Sequence, residues 1–186
     1  VKNVTGVTVS GCTIDNSKNG IALGQSTNVA INGGTIEVDG YGIRVDATQA
    51  TTMTVTDAQI KANIPVVARK ATGDYNIDFN GANEFEANNA DGLWLAIGQE
   101  ELYDTDNNIT TGNLGAATGN MIVTTNDNFN AAGANVIGAV AHLGNKYYTK
   151  LQEAINACVE GDNAVEILAA IVEDVKASYE KGQPVL

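Results

Sequence analysis

A ten-residue phrase that recurs about every 23 residues constrains the fold of this chain more than any other feature. Its copies begin at Thr5, Thr27 and Thr51, with a looser fourth copy from Asp74, so successive starts lie 22, 24 and 23 residues apart. A fixed period in this range is typical of solenoids, in which each unit buries its apolar face only by stacking on its neighbours. The sequence therefore predicts one continuous core built from repeated coils.

Apolar and polar residues alternate within each phrase, as in Val7-Thr8-Val9 and Val29-Ala30-Ile31. Period-two alternation indicates a strand with one buried face. A second apolar phrase follows in every unit, at residues 20–23, 42–45, 64–68 and 92–95. Corner residues such as Asp39-Gly40 separate the phrases and tolerate left-handed backbone. We therefore expect at least two strands per coil and an all-β solenoid, a parallel β-helix with coils of about 22–24 residues. Leucine-rich repeats share this period, but these coils use Val and Ile instead of regularly spaced leucines.

The phrase weakens after residue 96, although residues 121–123 and 135–137 still indicate strands. Residues 149–158 predict a helix with Thr149 as N-cap and Gln152 in capping-box spacing. The stretch 165–175 fits either a helix or strands. We predict solenoid coils over residues 1–140, regular to about 96 and irregular beyond. Residues 141–186 would then form a helix-containing cap or the start of a following solenoid unit.

Charge excludes two classes of partner. The chain has ten Lys and Arg against 22 Asp and Glu, a net charge of −12. Nucleic acids and anionic membrane surfaces both require clustered cations, so neither is an expected partner. No apolar run reaches the roughly 18 residues of a membrane-spanning helix, and membrane insertion is not expected. The chain opens in mid-pattern at Val1, from which we expect a piece of a longer protein.

The two cysteines lie far apart in the sequence. Cys12 occupies an inward position matched by Gly34 and Ala58 in the next two copies, which predicts a small buried thiol. Cys158 falls on the apolar side of the predicted helix. A disulfide between them is an open alternative.

The coils resemble the right-handed parallel β-helix of the pectin-lyase-like superfamily. Residues 139–157, with Tyr-x-x-Leu-x-x-Ala-Ile from Tyr148 to Ile155, resemble a unit common in β-helix proteins of bacterial cell surfaces. In that unit a strand and a helix close the open end of a solenoid, and a strand resembling residues 165–168 follows. The unit usually begins a β-helix, whereas here it follows one. The resemblance implies a right-handed solenoid with an extracellular or cell-surface location.

Enzymes of that superfamily are mostly polysaccharide lyases and glycoside hydrolases, whose site patterns can be sought here. Of the polygalacturonase-like set, Asn89-Ala90-Asp91 resembles only the first element. His142 is the single histidine, which excludes zinc sites that require two. Arg44, with Asp39 and Asp46 nearby, is the nearest approach to a lyase base beside bound calcium. No catalytic residue, metal site or cofactor is predicted, and calcium is the one ion that this arrangement would allow.

The best indication of binding is a column of outward residues. The third residue of three apolar phrases is expected to point outward, which places Ala22, Arg44 and Trp94 on one face. Tyr41, Arg44 and Trp94 form the candidate ligand-binding site, because exposed aromatic rings beside an arginine suit a sugar or a protein partner. In an alternative interpretation, the loop from Gln99 to Asn120 covers Trp94.

The sequence therefore predicts a non-catalytic extracellular or cell-surface module that serves as a spacer or as an adhesin-like, carbohydrate-binding surface. The alternative is a polysaccharide lyase or glycoside hydrolase fragment that acts on acidic polysaccharide. The expected partners are polysaccharide or a host or cell-surface protein, and the open ends of the solenoid would permit end-to-end self-association.

Overall fold

The chain folds into an all-β, mostly parallel β-solenoid, as the repeat predicts. The computed structural model describes residues 1–46, 49–69, 73–98, 121–132, 135–159, 164–171 and 175. Each coil contributes three strands, because the ten-residue phrase contains two strands on either side of a sharp corner and the second apolar phrase supplies the third. The expectation of at least two strands per coil is confirmed.

Three parallel sheets, here called face 1, face 2 and face 3, form the sides of the coils. Face 1 contains β1 (Thr8–Ser10), β4 (Val29–Asn32), β7 (Thr51–Thr56), β10 (Tyr75–Asn80) and β13 (Met121–Thr125). Face 2 contains β2 (Thr13–Ser17), β5 (Thr35–Val38), β8 (Gln59–Ala62), β11 (Glu84–Ala87) and β14 (Asn130–Ala132). Face 3 contains β3 (Ile21–Gly24), β6 (Tyr41–Asp46), β9 (Ile64–Arg69), β12 (Leu93–Gly98) and β15 (Asn135–Ile137).

The core consists of inward side chains that stack in columns along the solenoid. On face 1, Ile31 pairs with Val9, Val55 pairs with Ile31, and Phe79 pairs with Val55. Ile31, Val55 and Phe79 are completely buried, whereas Val9, in the first coil, is only half-buried. Burying a side chain of this size stabilises the fold by roughly 1.5–3 kcal/mol. Each coil therefore depends on the coils above and below it.

Residues with left-handed backbone form the corners between face 1 and face 2. Gly34 has a φ of 96°, and a β-carbon at this position would collide with the Cys12 backbone. Asp57 has a φ of 53°, and its carboxylate accepts a hydrogen bond from the Ala82 backbone N–H one coil further on, at 2.8 Å. These corners allow the chain to turn sharply while each coil stays in register with the next.

A short cap closes the end of face 1 that follows β13. It comprises β16 (Ala141–Leu143), β17 (Lys146–Tyr148), the helix α1 (Leu151–Asn156) and β18 (Glu166–Ile167). The strand β17 pairs antiparallel with β13, β16 pairs antiparallel with β17, and β18 pairs antiparallel with β16. The described part of the cap is thus mainly antiparallel strands, together with one helix of six residues. No helix in the described part of the chain is long and apolar enough to cross a membrane.

The helix starts later than the sequence predicts. Its N-cap is Lys150, which makes no side-chain capping bond, instead of Thr149. The Thr149 hydroxyl oxygen is buried without a hydrogen-bond partner among the described residues, and Gln152 bonds Asn156 at 2.9 Å instead of closing a capping box. Of the ambiguous stretch 165–175, residues 166–167 form a strand; Asn163, the predicted cap of the helical alternative, lies outside the described residues.

The prediction for Cys12 is wrong, because the thiol is exposed. Its coil is stacked against a neighbour on one side only, so its inward positions stay accessible; Val9 and Ile14 are likewise only half-buried. Ala58, at the equivalent position two coils further on, is fully buried. Cys158 is buried just beyond the helix, where its thiol donates a hydrogen bond to the Ala154 carbonyl at 3.5 Å, and no disulfide joins it to Cys12.

Candidate functional site

Two of the three predicted site residues lie together on the outer side of face 3. The Arg44 guanidinium carbon lies 4.9 Å from the centre of the Tyr41 ring, in cation–π contact. Arg44 Nε also lies 3.3 Å from Asp46 Oδ2. Ile43 and Val45 on either side of Arg44 are fully buried, which confirms that Arg44 points outward. Arg44 is therefore held between a carboxylate and an aromatic ring.

The third predicted residue, Trp94, does not join them. Its side chain is 1% exposed and lies in the core. Its ring contacts the rings of Phe79, Phe85 and Phe129, with centroids 5.5, 6.0 and 4.9 Å away. The ring of Tyr147 in the cap lies 6.3 Å from it, edge to face. Trp94 is therefore the centre of an aromatic cluster that joins the last coils to the cap.

The sequence predicts that Trp94 points outward, and this prediction is wrong because of the register of β12. Leu95 pairs with Val66 and Ala96 with Val67, so Ala96 continues the outward column that begins with Ala22 and Arg44. A register irregularity between Leu93 and Leu95 lies at Trp94, where the side chain turns inward. The phrase at residues 92–95 thus resembles the earlier phrases in composition but is offset from them by two positions.

The outer side of face 3 becomes apolar and buried along the solenoid. Val67 and Ala96 point outward, yet both are completely buried, and they pack with Tyr41, Ile64 and Ala22 in a second apolar cluster. This surface is therefore closed to a ligand beyond the level of Arg44. The loop from Gln99 to Asn120, proposed as a cover for Trp94, lies outside the described residues.

Face 2 carries an open groove on its outer side, with a volume of about 380 Å³. We call it the face-2 groove. Polar side chains line it in two columns that cross successive coils. One column consists of Thr35, Gln59, Glu84 and Asn130, and the other of Glu37, Lys61 and Glu86. A chain molecule laid along the solenoid axis would meet a polar side chain about every 4.8 Å.

The strands of face 2 explain this arrangement. In β5, β8 and β11 a single large apolar residue, Ile36, Ile60 or Phe85, is buried between two outward polar residues. In-register pairing then aligns the polar positions from coil to coil. The polar–apolar–polar triplets recur with the main repeat, so this groove could have been found from the sequence by following the second half of each phrase.

Contacts between coils hold the polar side chains of the groove in place. Gln59 Nε2 donates a hydrogen bond to Glu84 Oε2 at 3.4 Å, and Lys61 Nζ lies 3.2 Å from Glu86 Oε1. Both pairs are solvent-exposed, so each contributes at most about 1 kcal/mol to stability. These contacts mainly orient the side chains, so that carboxylate, amide and ammonium groups face solvent from a rigid sheet.

A second cleft, of about 300 Å³, lies between face 1 and the cap. Thr52, Asn76 and Ile122 form its wall on face 1, and Lys150 and Glu153 border it from the start of α1. It is smaller than the face-2 groove and combines apolar side chains such as Ile122 with oppositely charged groups.

The cap also brings together its single histidine, a tyrosine and a glutamate. The His142 and Tyr147 rings are stacked with centroids 4.5 Å apart, and His142 Nδ1 lies 3.5 Å from Glu166 Oε2. Burial raises the pKa of the Tyr147 phenol, and the nearby negative charge of Glu166 raises it further. The contacts join β16, β17 and β18, so this group stabilises the cap.

Side-chain amides fasten two corners of the coils, where Asn83 is buried and Asn89 is half-buried. Asn83 Oδ1 accepts a hydrogen bond from the Ala58 N–H at 2.9 Å, and its Nδ2 donates to the carbonyls of Val55 and Asn80. Asn89 bonds both the N–H and the carbonyl of Leu93, at 2.8 and 3.0 Å. Asn89, the residue that resembled a polygalacturonase element, therefore has a structural role in this fold.

The described residues contain no group of three or more His, Cys, Asp or Glu side chains arranged to hold a metal ion. Asp46, one of the predicted calcium ligands, contacts Arg44.

Comparisons with family models, with curated proteins and with solved structures found no match to this chain. The parallel solenoid is shown by the structure, and membership of the pectin-lyase-like superfamily and a bacterial origin stay predictions from the residues.

Proposed function

We propose that this chain is a non-catalytic module of an extracellular or cell-surface protein and that its face-2 groove binds polysaccharide. The observation that carries the proposal is the pair of in-register polar columns on the outer side of face 2. A glycan has a repeating backbone with hydroxyl groups along both edges, and a repeating row of amide and carboxylate groups is complementary to it.

The chemistry of the groove suits hydroxyl recognition. Glu37 and Glu84 supply exposed acceptors, Gln59 and Asn130 supply both donors and acceptors, and Lys61 supplies a donor. Its aromatic floor residue, Phe85, is buried, so sugar stacking does not contribute and affinity would come from many weak polar contacts. Such a surface fits an adhesin-like module that binds polymers through repetition.

The residues of the groove also define the alternative function. Glu84 and Glu86 lie two positions apart on the same side of β11, about 7 Å by strand geometry. Two carboxylates at about 5–9.5 Å are the requirement of a glycoside hydrolase. Glu86 pairs with Lys61 and Glu84 accepts from Gln59, an arrangement that suits binding better than proton transfer.

The test is to measure binding and hydrolysis on one panel of neutral, uronic-acid and amino-sugar polysaccharides, with and without calcium. We expect retention of at least one polymer in affinity electrophoresis and no release of reducing or unsaturated ends. The groove variant Gln59→Ala with Glu84→Ala should weaken binding at least about tenfold, a loss of about 1.4 kcal/mol.

Thr56→Ala with Asn80→Ala is the matched control, because these two residues pair across the same two coils on face 1. It should bind like the unsubstituted chain. If no polymer is retained, or if the control loses affinity equally, the binding proposal is wrong. Product release that Glu84→Gln and Glu86→Gln each abolish would establish the hydrolase instead.

A further inference from the structure

Five glycines of the chain directly follow an asparagine or an aspartate. They lie in the pairs Asn19-Gly20, Asn32-Gly33, Asp39-Gly40, Asn80-Gly81 and Asp91-Gly92. In such a pair the glycine nitrogen can attack the side-chain carbonyl carbon of the residue before it, because glycine has no side chain to hinder the approach. The nitrogen must lose its proton and turn toward that carbon. A hydrogen bond donated by the glycine N–H therefore opposes the reaction.

Four of these five glycine N–H groups donate to main-chain carbonyls. The bonds run from Gly20 to Tyr41 at 2.9 Å, from Gly33 to Thr56 at 2.7 Å, from Gly40 to Lys18 at 2.7 Å and from Gly92 to Asn89 at 3.2 Å. The N–H of Gly81 has no hydrogen-bond partner among the described residues. Of the five pairs, all of which lie in the described ranges, only Asn80-Gly81 therefore leaves the attacking nitrogen unheld.

The path of the chain explains this exception. Where the coils turn from face 1 to face 2, main-chain N–H groups donate to carbonyls of the next coil. These bonds run from Gly11 to Asn32, from Gly33 to Thr56 and from Asp57 to Asn80. Gly81 is next in this series, but the pairing of β10 with β13 ends at Phe79 and Thr125. The Thr125 N–H already donates to the Asn145 carbonyl in the cap, so the series of bonds between coils stops at Gly81.

The carbonyl of the same peptide group is held, whereas the reacting side chain is open to water. The Asn80 carbonyl accepts from the Asp57 N–H at 3.4 Å and from Asn83 Nδ2 at 2.8 Å. The Asn80 side chain is exposed. The bonds to the carbonyl slow rotation of the peptide group, but no bond on the nitrogen side has to break before it attacks.

We propose that Asn80 is a site of spontaneous deamidation, with the Gly81 nitrogen as the attacking atom. This nitrogen gives up its proton and forms a bond to Asn80 Cγ. The Cγ–Nδ2 bond breaks, and the amide leaves as ammonia after taking up a proton in place of the one that Gly81 lost. Water then opens the cyclic imide at one of its two carbonyls. Opening at the side-chain carbonyl gives aspartate at position 80, and opening at the main-chain carbonyl gives isoaspartate.

Isoaspartate alters this corner more than aspartate does, because the main chain then passes through Cβ and Cγ of residue 80 and becomes one carbon longer. The carbonyl that accepts from Asp57 and Asn83 becomes part of a free carboxylate. A β-carbon on Gly81 would collide with Asp57 Oδ1, so the new charge forms close to the Asp57 carboxylate and is repelled by it. The isoaspartate form should therefore unfold at a lower urea concentration than the unmodified chain.

The first test is peptide mapping by mass spectrometry after the folded 186-residue chain is incubated in mildly alkaline buffer, which favours loss of the N–H proton. We expect deamidation at Asn80 to be at least about tenfold faster than at Asn19 or Asn32. An isoaspartate methyltransferase should label position 80. Asn32→Ala is the matched control, and it should leave the rate at Asn80 unchanged.

The second test separates the effect of the fold from that of the local sequence. In concentrated urea the glycine N–H bonds are lost, so Asn19, Asn32 and Asn80 should react at similar rates. Equal rates at the three asparagines in the folded protein, or a faster reaction at Asn19 or Asn32, would overturn the proposal. An unreactive Asn80 in the folded protein, or the same preference for Asn80 in urea, would overturn it as well.

Discussion

The coils and the cap pair their strands and cover their apolar side chains in opposite ways. In the coils, parallel strands repeat in register, and each inward side chain is covered by its equivalent in the next coil. In the cap, antiparallel strands end face 1, and a helix of six residues packs on β16 and β17. In the interior coils repetition buries the inward side chains, whereas in the cap the Thr149 hydroxyl is buried without a hydrogen-bond partner among the described residues. We therefore expect the coils to contribute more than the cap to the free energy of unfolding.

The two regions meet at Trp94, where the largest effect is expected. Trp94→Ala removes a ring that contacts Phe79, Phe85 and Phe129 in the coils and Tyr147 in the cap. We expect a loss of about 3–5 kcal/mol in the free energy of unfolding, measured by urea denaturation.

Arg44→Ala is the matched control for that experiment, because sequence reasoning placed Arg44 and Trp94 in one exposed column. Arg44 is partly exposed in the structure, and its removal should cost about 1 kcal/mol or less. Trp94 is the only tryptophan, so its fluorescence also reports burial, and iodide should quench it only after unfolding. Equal losses for both variants, or quenching in the native state, would contradict this account.

Asn83 tests the corners of the coils. Asn83→Ala removes an acceptor for the buried Ala58 N–H and a donor to the carbonyls of Val55 and Asn80. Leaving buried backbone groups unpaired should cost about 1–3 kcal/mol, measured by thermal or urea unfolding. Asn80→Ala changes an exposed side chain nearby and should stay within about 0.5 kcal/mol of the unsubstituted chain. A similar small effect at Asn83 would show that water replaces its bonds.

Thr149 tests the start of the helix in the cap. Whether Thr149→Val raises or lowers the free energy of unfolding distinguishes a capping hydroxyl from an unpaired one. If Thr149 capped the helix, Thr149→Val would destabilise the protein by about 1 kcal/mol. In the structure its hydroxyl is buried without a partner among the described residues, so the substitution should be neutral or stabilising by less than about 1 kcal/mol. The urea midpoint of Thr149→Val against that of the unsubstituted chain distinguishes the two.

The sequence predicts the coils far better than the site, for a physical reason. A repeated alternation fixes which residues face inward, and this alone determines strands, corners and stacking. It does not fix the register where a coil changes length, so Ala96, not Trp94, continues the column of Arg44. It also does not report whether a neighbouring coil is present, and Cys12 is accordingly inward but exposed.

The face-2 groove is a part of the site that the sequence repeat can predict. Its triplets around Ile36, Ile60 and Phe85 show the same period as the core phrase, and only the outward residues carry the function proposed here. The cap is harder to predict, because its antiparallel pairing with β13 depends on contacts between parts of the chain that share no repeat.

The smallest expected effect is at Tyr147, whose ionisation in the cap should change the stability of the protein at alkaline pH. Its pKa is raised above the ordinary value near 10 by burial and by the charge of Glu166, so the folded state favours the neutral phenol. The resulting stabilisation is complete below pH 10 and is lost as the pH rises through the raised pKa. Tyr147→Phe should therefore reduce the fall in stability that occurs as the pH rises above the ordinary tyrosine pKa of about 10, measured by urea unfolding. Glu166→Gln, which keeps the phenol but removes one cause of the shift, should reduce it less. Identical alkaline slopes for all three proteins would show that the phenol ionises as freely in the folded cap as in the unfolded chain.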